Sequence, residues 1–144
     1  MNQTATSNRR SDQAINELLM ERQELLADFC ILAGLEPYTG NQPALSKLRR
    51  FMQILVDYIA LGHFEVYQYV AEGRERRGHV LEVGNQVYPR LVEATDECVA
   101  FNDKYDGVDD PEDLMNLDED LSRLGETLAT RIELEDKLIG ALRR

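Results

Sequence analysis

The chain has 144 residues, enough for one domain with a sizeable core. It is 43% hydrophobic and 30% charged, and no apolar run approaches the roughly 20 residues that a membrane-spanning helix needs. A net charge of −11 argues against a free-standing nucleic-acid binder, which would be basic.

Residues 1–11 are polar and lack the apolar core of a secretory signal, so they are expected to form a flexible tail. Residues 12–144 are expected to form one helical domain. The first predicted helix spans about 12–33. Its apolar seam is Ile15, Leu18, Arg22, Leu25, Phe29 and Leu32, with one charge in it. The second spans about 43–72 and opens on Pro43, a residue suited to a first helical turn. Its seam is Leu45, Leu48, Met52, Leu55, Ile59, Gly62, Val66 and Tyr69.

The third helix is expected over about 80–105, with Val80, Val83, Val87, Leu91, Ala94, Cys98, Phe101 and Tyr105 inward. Pro89 should kink it or start a new helix. The fourth has the clearest start: Asp110 as N-cap, Pro111 at the first position, then Glu112 and Asp113 favouring the dipole. Its seam is Leu114, Leu117, Leu121, Leu124, Leu128, Arg131, Glu135, Leu138 and Leu142. Breaks at 34–42, 73–78 and 106–110 are short, and no alternating strand pattern is present. Short links between long helices predict an all-α, antiparallel, up-down-up-down four-helix bundle.

Cys30 and Cys98 fall at inward-looking positions and read as two reduced core thiols. With no secretory signal, this points to a cytoplasmic protein. Two histidines, neither preceded by a glutamate at i−3, do not make a di-iron site, and no glycine-rich phosphate loop or nucleophile–base pair is evident. No metal, cofactor or enzyme activity is expected.

The second helix carries more apolar surface than one packing face needs. Ile54, Leu61 and Phe64 form a second stripe with Asp57 embedded in it, and a greasy patch holding one charge suits docking. Asp57, Leu61 and Phe64 are therefore the candidate partner-binding patch. Tyr58, His63 and Tyr67 flank it, either shaping it or reaching the partner. Arg22, Arg131 and Glu135 sit where leucine belongs and form a second-tier candidate cluster: either a buried network that fixes helix register, or a partly open polar cleft at one end of the bundle that takes a partner's side chains. Arg131 and Glu135 are four apart, on one face, and must pair with each other or with Tyr58, His63 or Tyr67, because an unpaired buried charge costs several kcal/mol. Gly62 on the seam costs roughly 1 kcal/mol relative to alanine and implies close approach of a neighbouring helix or of a partner.

Charge is uneven. Residues 1–50 sum to zero, whereas residues 93–136 carry three basic and sixteen acidic side chains, a net of −13. Such a surface attracts a basic partner, and a DNA-reading protein domain is one.

The segment Leu-Val-Asp-Tyr-x-x-x-Gly-His-Phe-x-x-Tyr at 55–67 resembles the signature of the Rsd/AlgQ family, the regulators of sigma D. So do Arg131-Ile-Glu-Leu-Glu-Asp-Lys-Leu-Ile139, Glu21-Arg-Gln-Glu-Leu-Leu26, Pro43-Ala-Leu-Ser-x-Leu48, Tyr88-Pro-Arg-Leu91 and Phe101-Asn-Asp103, in order over about 15–142. The chain departs from the pattern at Asn16-Glu17-Leu18, where members carry Asp-Arg-Trp; this chain has no tryptophan.

The resemblance implies an anti-sigma factor in the bacterial cytoplasm. It would bind the primary RNA polymerase sigma factor, chiefly its basic region 4 and also region 2, and sequester it, touching neither nucleic acid nor membrane. A monomer or weak dimer is expected when free. The alternative reading is a bundle that docks another cytoplasmic signalling protein through the same patch.

Overall fold

The computed structural model describes residues 2–67, 70 and 77–143, with side chains from Asp12 onward apart from Glu65. Four long helices run among the described residues: α1 (Asn2–Ala33), α2 (Gln42–Leu61), α3 (Gly78–Tyr105) and α4 (Leu117–Leu142). A wide π turn, Gly62–Tyr67, continues α2, and a short 3-10 turn, Pro111–Leu114, precedes α4. Tyr69 and most of the expected break at 73–78 lie outside the described residues.

Side-chain pairs show that successive helices run antiparallel. Arg50 meets Asp28 at 3.1 Å, joining the start of α2 to the end of α1. The rings of Phe51 and Phe101 meet edge to face at 6.2 Å, joining α2 to the end of α3. Lys104 reaches Asp120 at 2.7 Å, and His79 bonds the Ala141 carbonyl at 3.0 Å, so α3 and α4 run opposite ways. Arg143 bonds Asn16 at 2.7 Å, closing the ring of helices from α4 back to α1. This is the expected up-down-up-down bundle. Packing is heaviest within the pairs α1–α2 and α3–α4.

The seams explain the core. Every residue of the fourth predicted seam is buried, Arg131 and Glu135 included. On α1, Ile15, Leu18, Leu25 and Leu32 are buried, while Arg22 and Phe29 are half-buried. Asn41 caps α2: its Oδ1 accepts from the Ala44 N–H at 3.1 Å, and its Nδ2 donates to the Leu35 carbonyl at 2.9 Å.

Four sequence expectations need correction. Helical geometry begins at Asn2 rather than near residue 12. Cys30 is exposed, and only Cys98 is a core thiol; both are free. Pro89 does not start a new helix: α3 runs through it. Pro89 and Asn85 are both exposed, so the Asn85 carbonyl, deprived of its helical donor, faces water rather than core. Asp110 is a cap, accepting from the Glu112 N–H at 3.0 Å, but it caps the 3-10 turn, and α4 starts only at Leu117.

Candidate protein-docking site

The outer side of α2 and its π turn carries the patch. Phe64 is 64% exposed, Asp57 is exposed, and Leu61 is half-buried. His63 is half-buried and packs edge-on against Phe64, centroids 4.9 Å apart at 84°. Val56, 43% exposed, lies instead toward α3, lining a groove with Asn102 and Tyr105. Ile54 does not belong to the apolar strip: only 7% is exposed, and the residue joins the core.

Acidic charge beside this strip comes from α1. Burial, then the charges of Glu24, Asp57 and Glu17, raises the Glu21 carboxyl above its ordinary range. Asp57 thus lies within electrostatic reach of an α1 carboxylate stripe. Glu17, Glu21 and Glu24 share one helical face with Met20, which is 71% exposed. Sequence reasoning missed this stripe. Summed over residues 1–50, it is cancelled by arginines elsewhere, and its i, i+4, i+7 spacing was the available signal.

Behind the patch lies a buried polar cluster. Tyr58 and Tyr67 both donate to Glu135 Oε2, and Arg131 Nε donates to the same oxygen at 3.3 Å. Tyr58, Arg131 and Glu135 are fully buried, and Tyr67 is 2% exposed. The Arg131 guanidinium carbon sits over both tyrosine rings, 4.9 Å from the Tyr58 centroid and 5.5 Å from that of Tyr67. Its terminal nitrogens make no well-formed hydrogen bond among the described residues.

Arg22 links this interior to the surface. Its Nη1 donates to Asp136 at 2.8 Å and, more weakly, to Glu135 Oε1 at 3.4 Å. Burial, then the Glu135 charge, pushes Tyr58 and Tyr67 above the usual tyrosine range. Burial also lifts the Cys98 thiol to about 11, against the pull of Arg131. Cys98 is therefore an inert thiol at neutral pH.

The nine predicted residues thus divide into two groups. Asp57, Leu61, His63 and Phe64 share the outer strip. Tyr58 and Tyr67 turn inward and join Arg131, Glu135 and Arg22. The pairing required of the seam charges is present, except that His63 takes no part in it.

Residues 1–143 match the family model described as "Regulator of RNA polymerase sigma(70) subunit, Rsd/AlgQ". The chain belongs to the Rsd/AlgQ family. Its relatives include the "Regulator of sigma D" of Yersinia enterocolitica serotype O:8, 33% identical over 133 residues, covering 90% of this chain and 80% of that protein. The Yersinia pseudotuberculosis serotype O:1b protein of the same name is 31% identical, covering 90% and 79%. That of Salmonella paratyphi B is 30% identical over 132 residues, covering 90% and 81%.

Among the described residues, no group of three or more His, Cys, Asp or Glu converges to hold a metal ion. No helix among them is long and apolar enough to cross a membrane.

Proposed function

We propose that this Rsd/AlgQ protein is an anti-sigma factor that binds the primary sigma factor of RNA polymerase through the outer α1–α2 face. Family membership and relatives named as regulators of sigma D support the partner. The observation that carries the location is Phe64, largely exposed on the turn that continues α2, a helix whose Asp57 carboxylate acts on Glu21 of α1. A large aromatic left in water on a stable bundle is the kind of anchor that dominates interface energy.

The chemistry suits sigma region 4, a basic helix-turn-helix module that reads promoter DNA. Phe64 and Leu61 would enter an apolar groove of that module. Glu17, Glu21, Glu24 and Asp57 would take the positions of DNA phosphates against its basic side chains. A module held this way is withdrawn from promoter and polymerase. The acidic excess of residues 93–136 adds long-range attraction without needing to touch the partner. Region 2 of the same factor is a further contact that the reading allows. No reaction is involved, so the protein acts by occupancy, in the cytoplasm where its partner works.

Calorimetric titration of isolated region 4 tests this. Phe64→Asp is expected to abolish binding while leaving helical circular dichroism and melting unchanged. Wild-type affinity in that variant would remove Phe64 from the interface. Affinity should fall as salt rises, because the acidic rim contributes through screened charge.

A further inference from the structure

Gly62 marks the point where the register of the second helix changes. A regular α-helix turns about 100° per residue, so Tyr58 and Gly62, four apart, share a face. Gly62 and Tyr67, five apart, would diverge by about 140° in the same geometry. In the structure they do not diverge. Tyr67 Cε2 lies 3.3 Å from the point where a Gly62 side chain would begin. The wider turn of Gly62–Tyr67, which closes on i→i+5, stacks them. Only this widening lets Tyr58 and Tyr67, nine apart, reach one oxygen of Glu135.

The same point is hemmed in from two other sides. Arg131 Nη2 is 3.1 Å away and Leu18 Cδ1 is 3.3 Å away. A methyl group there would press the guanidinium and the Tyr67 ring apart. Phe64 lies between the two ends of the turn and is 64% exposed.

We propose that Gly62 is a positioning residue for the docking strip. Lacking a side chain, it admits the Arg131 guanidinium into the turn. Arg131 and Glu135 then clamp the turn at Gly62 and at Tyr67. Phe64, carried between them, is held in its outward orientation before any partner arrives. Such pre-organisation raises affinity by removing the cost of ordering the anchor on binding. The inference rests on the docking face proposed above and assigns it a control element in the bundle interior.

Three variants test it in calorimetric titration with sigma region 4. Gly62→Ala is expected to weaken binding roughly tenfold. Gly62→Ala combined with Leu18→Ala opens room beside the added methyl on a side that is not part of the clamp, and should recover part of that loss. Tyr67→Phe keeps the ring, releases only the far end of the turn, and should weaken binding by a smaller factor. It also serves if Gly62→Ala does not fold.

A parallel readout needs no partner. In spectrophotometric titration, Gly62→Ala should free one additional tyrosine to ionise at ordinary alkaline pH, because the Tyr67 hydroxyl leaves Glu135. Wild-type affinity in Gly62→Ala, whatever its melting temperature, would overturn the proposal. So would a double variant no better than the single one, or Tyr67 still protected in Gly62→Ala. Failure of the unaltered protein to bind region 4 would instead sink the docking reading, with the tyrosine titration still deciding whether Gly62 holds the turn.

Discussion

Two clusters in this bundle are built from the same parts. At one end, Lys104 pairs with Asp120 at 2.7 Å, Tyr105 donates to Asp120, and Lys104 lies 5.8 Å from the Tyr105 ring centroid. Deeper in the bundle, Arg131 pairs with Glu135, two tyrosines donate to that carboxylate, and the cation covers both rings. The difference is solvent. Lys104 is 52% exposed, whereas both members of the inner pair are fully buried.

Water substitutes for a missing partner at the outer cluster, so the pair there contributes little and breaking it is cheap. At the inner cluster Glu135 is the shared acceptor of Tyr58, Tyr67 and Arg131, so its removal leaves a buried cation and two buried hydroxyls without it. The local pKa values follow the same logic. Although burial works the other way, hydrogen bonds from Lys104 and Tyr105 hold the Asp120 carboxyl below its ordinary value. Inside, burial is the leading influence on Tyr58 and Tyr67 and drives them up.

The largest expected effect is from Glu135→Ala. It strands the buried Arg131 charge and should cost about 3–5 kcal/mol in urea denaturation. A cost near that of a surface pair would show that water enters the cluster. Replacing both members, Arg131→Leu with Glu135→Leu, should cost less than the single Glu135→Ala change, since no ion is then left unpaired. A double variant worse than the single would mean that the pair itself, and not the avoidance of a stranded charge, stabilises the fold.

Alkaline pH probes the same site. Below the ordinary tyrosine value of 10.0, Tyr58 and Tyr67 are protonated in both folded and unfolded chains. Above it, only the unfolded chain releases those protons, so unfolding is favoured and stability falls as pH rises. Each protected tyrosine steepens the fall by about 1.4 kcal/mol per pH unit. Tyr67→Phe should make the slope shallower by one such increment, measured by urea denaturation across that range.

The smallest expected effect is at the outer cluster. Lys104→Ala should change stability by about 0.2–1 kcal/mol, and 1 M salt should abolish even that difference. A loss comparable to that from Glu135→Ala would erase the distinction between the two clusters.

Much of this molecule was legible in the residues themselves. The leucine ladder from Leu114 to Leu142 runs at helical spacing and is buried throughout, so α4 and the bundle class were readable without coordinates. The substitution of Arg131 and Glu135 for leucine called for polar partners, in each other or in nearby tyrosines, because an unpaired charge on an apolar seam is costly; the structure supplies both. The signature at 55–67 and its companion segments pointed to the family directly.

What periodicity could not supply is register after a change of pitch. A constant 100° step aligns Ile54 with Leu61 and sets Tyr67 apart from Tyr58. The structure buries Ile54 against its neighbours and uses the π turn to bring the two tyrosines together. Cys30 fails for a related reason: its apolar character says nothing about which helix would cover it, and none does. The carboxylate stripe of α1 beside Asp57 is also a product of packing, because charges 36 residues apart in sequence become neighbours only once α1 lies along α2. Local spacing determines which faces of a helix are apolar. Only the meeting of helices determines which of those faces are covered, how far a turn must widen to let a guanidinium in, and where one phenylalanine is left facing water.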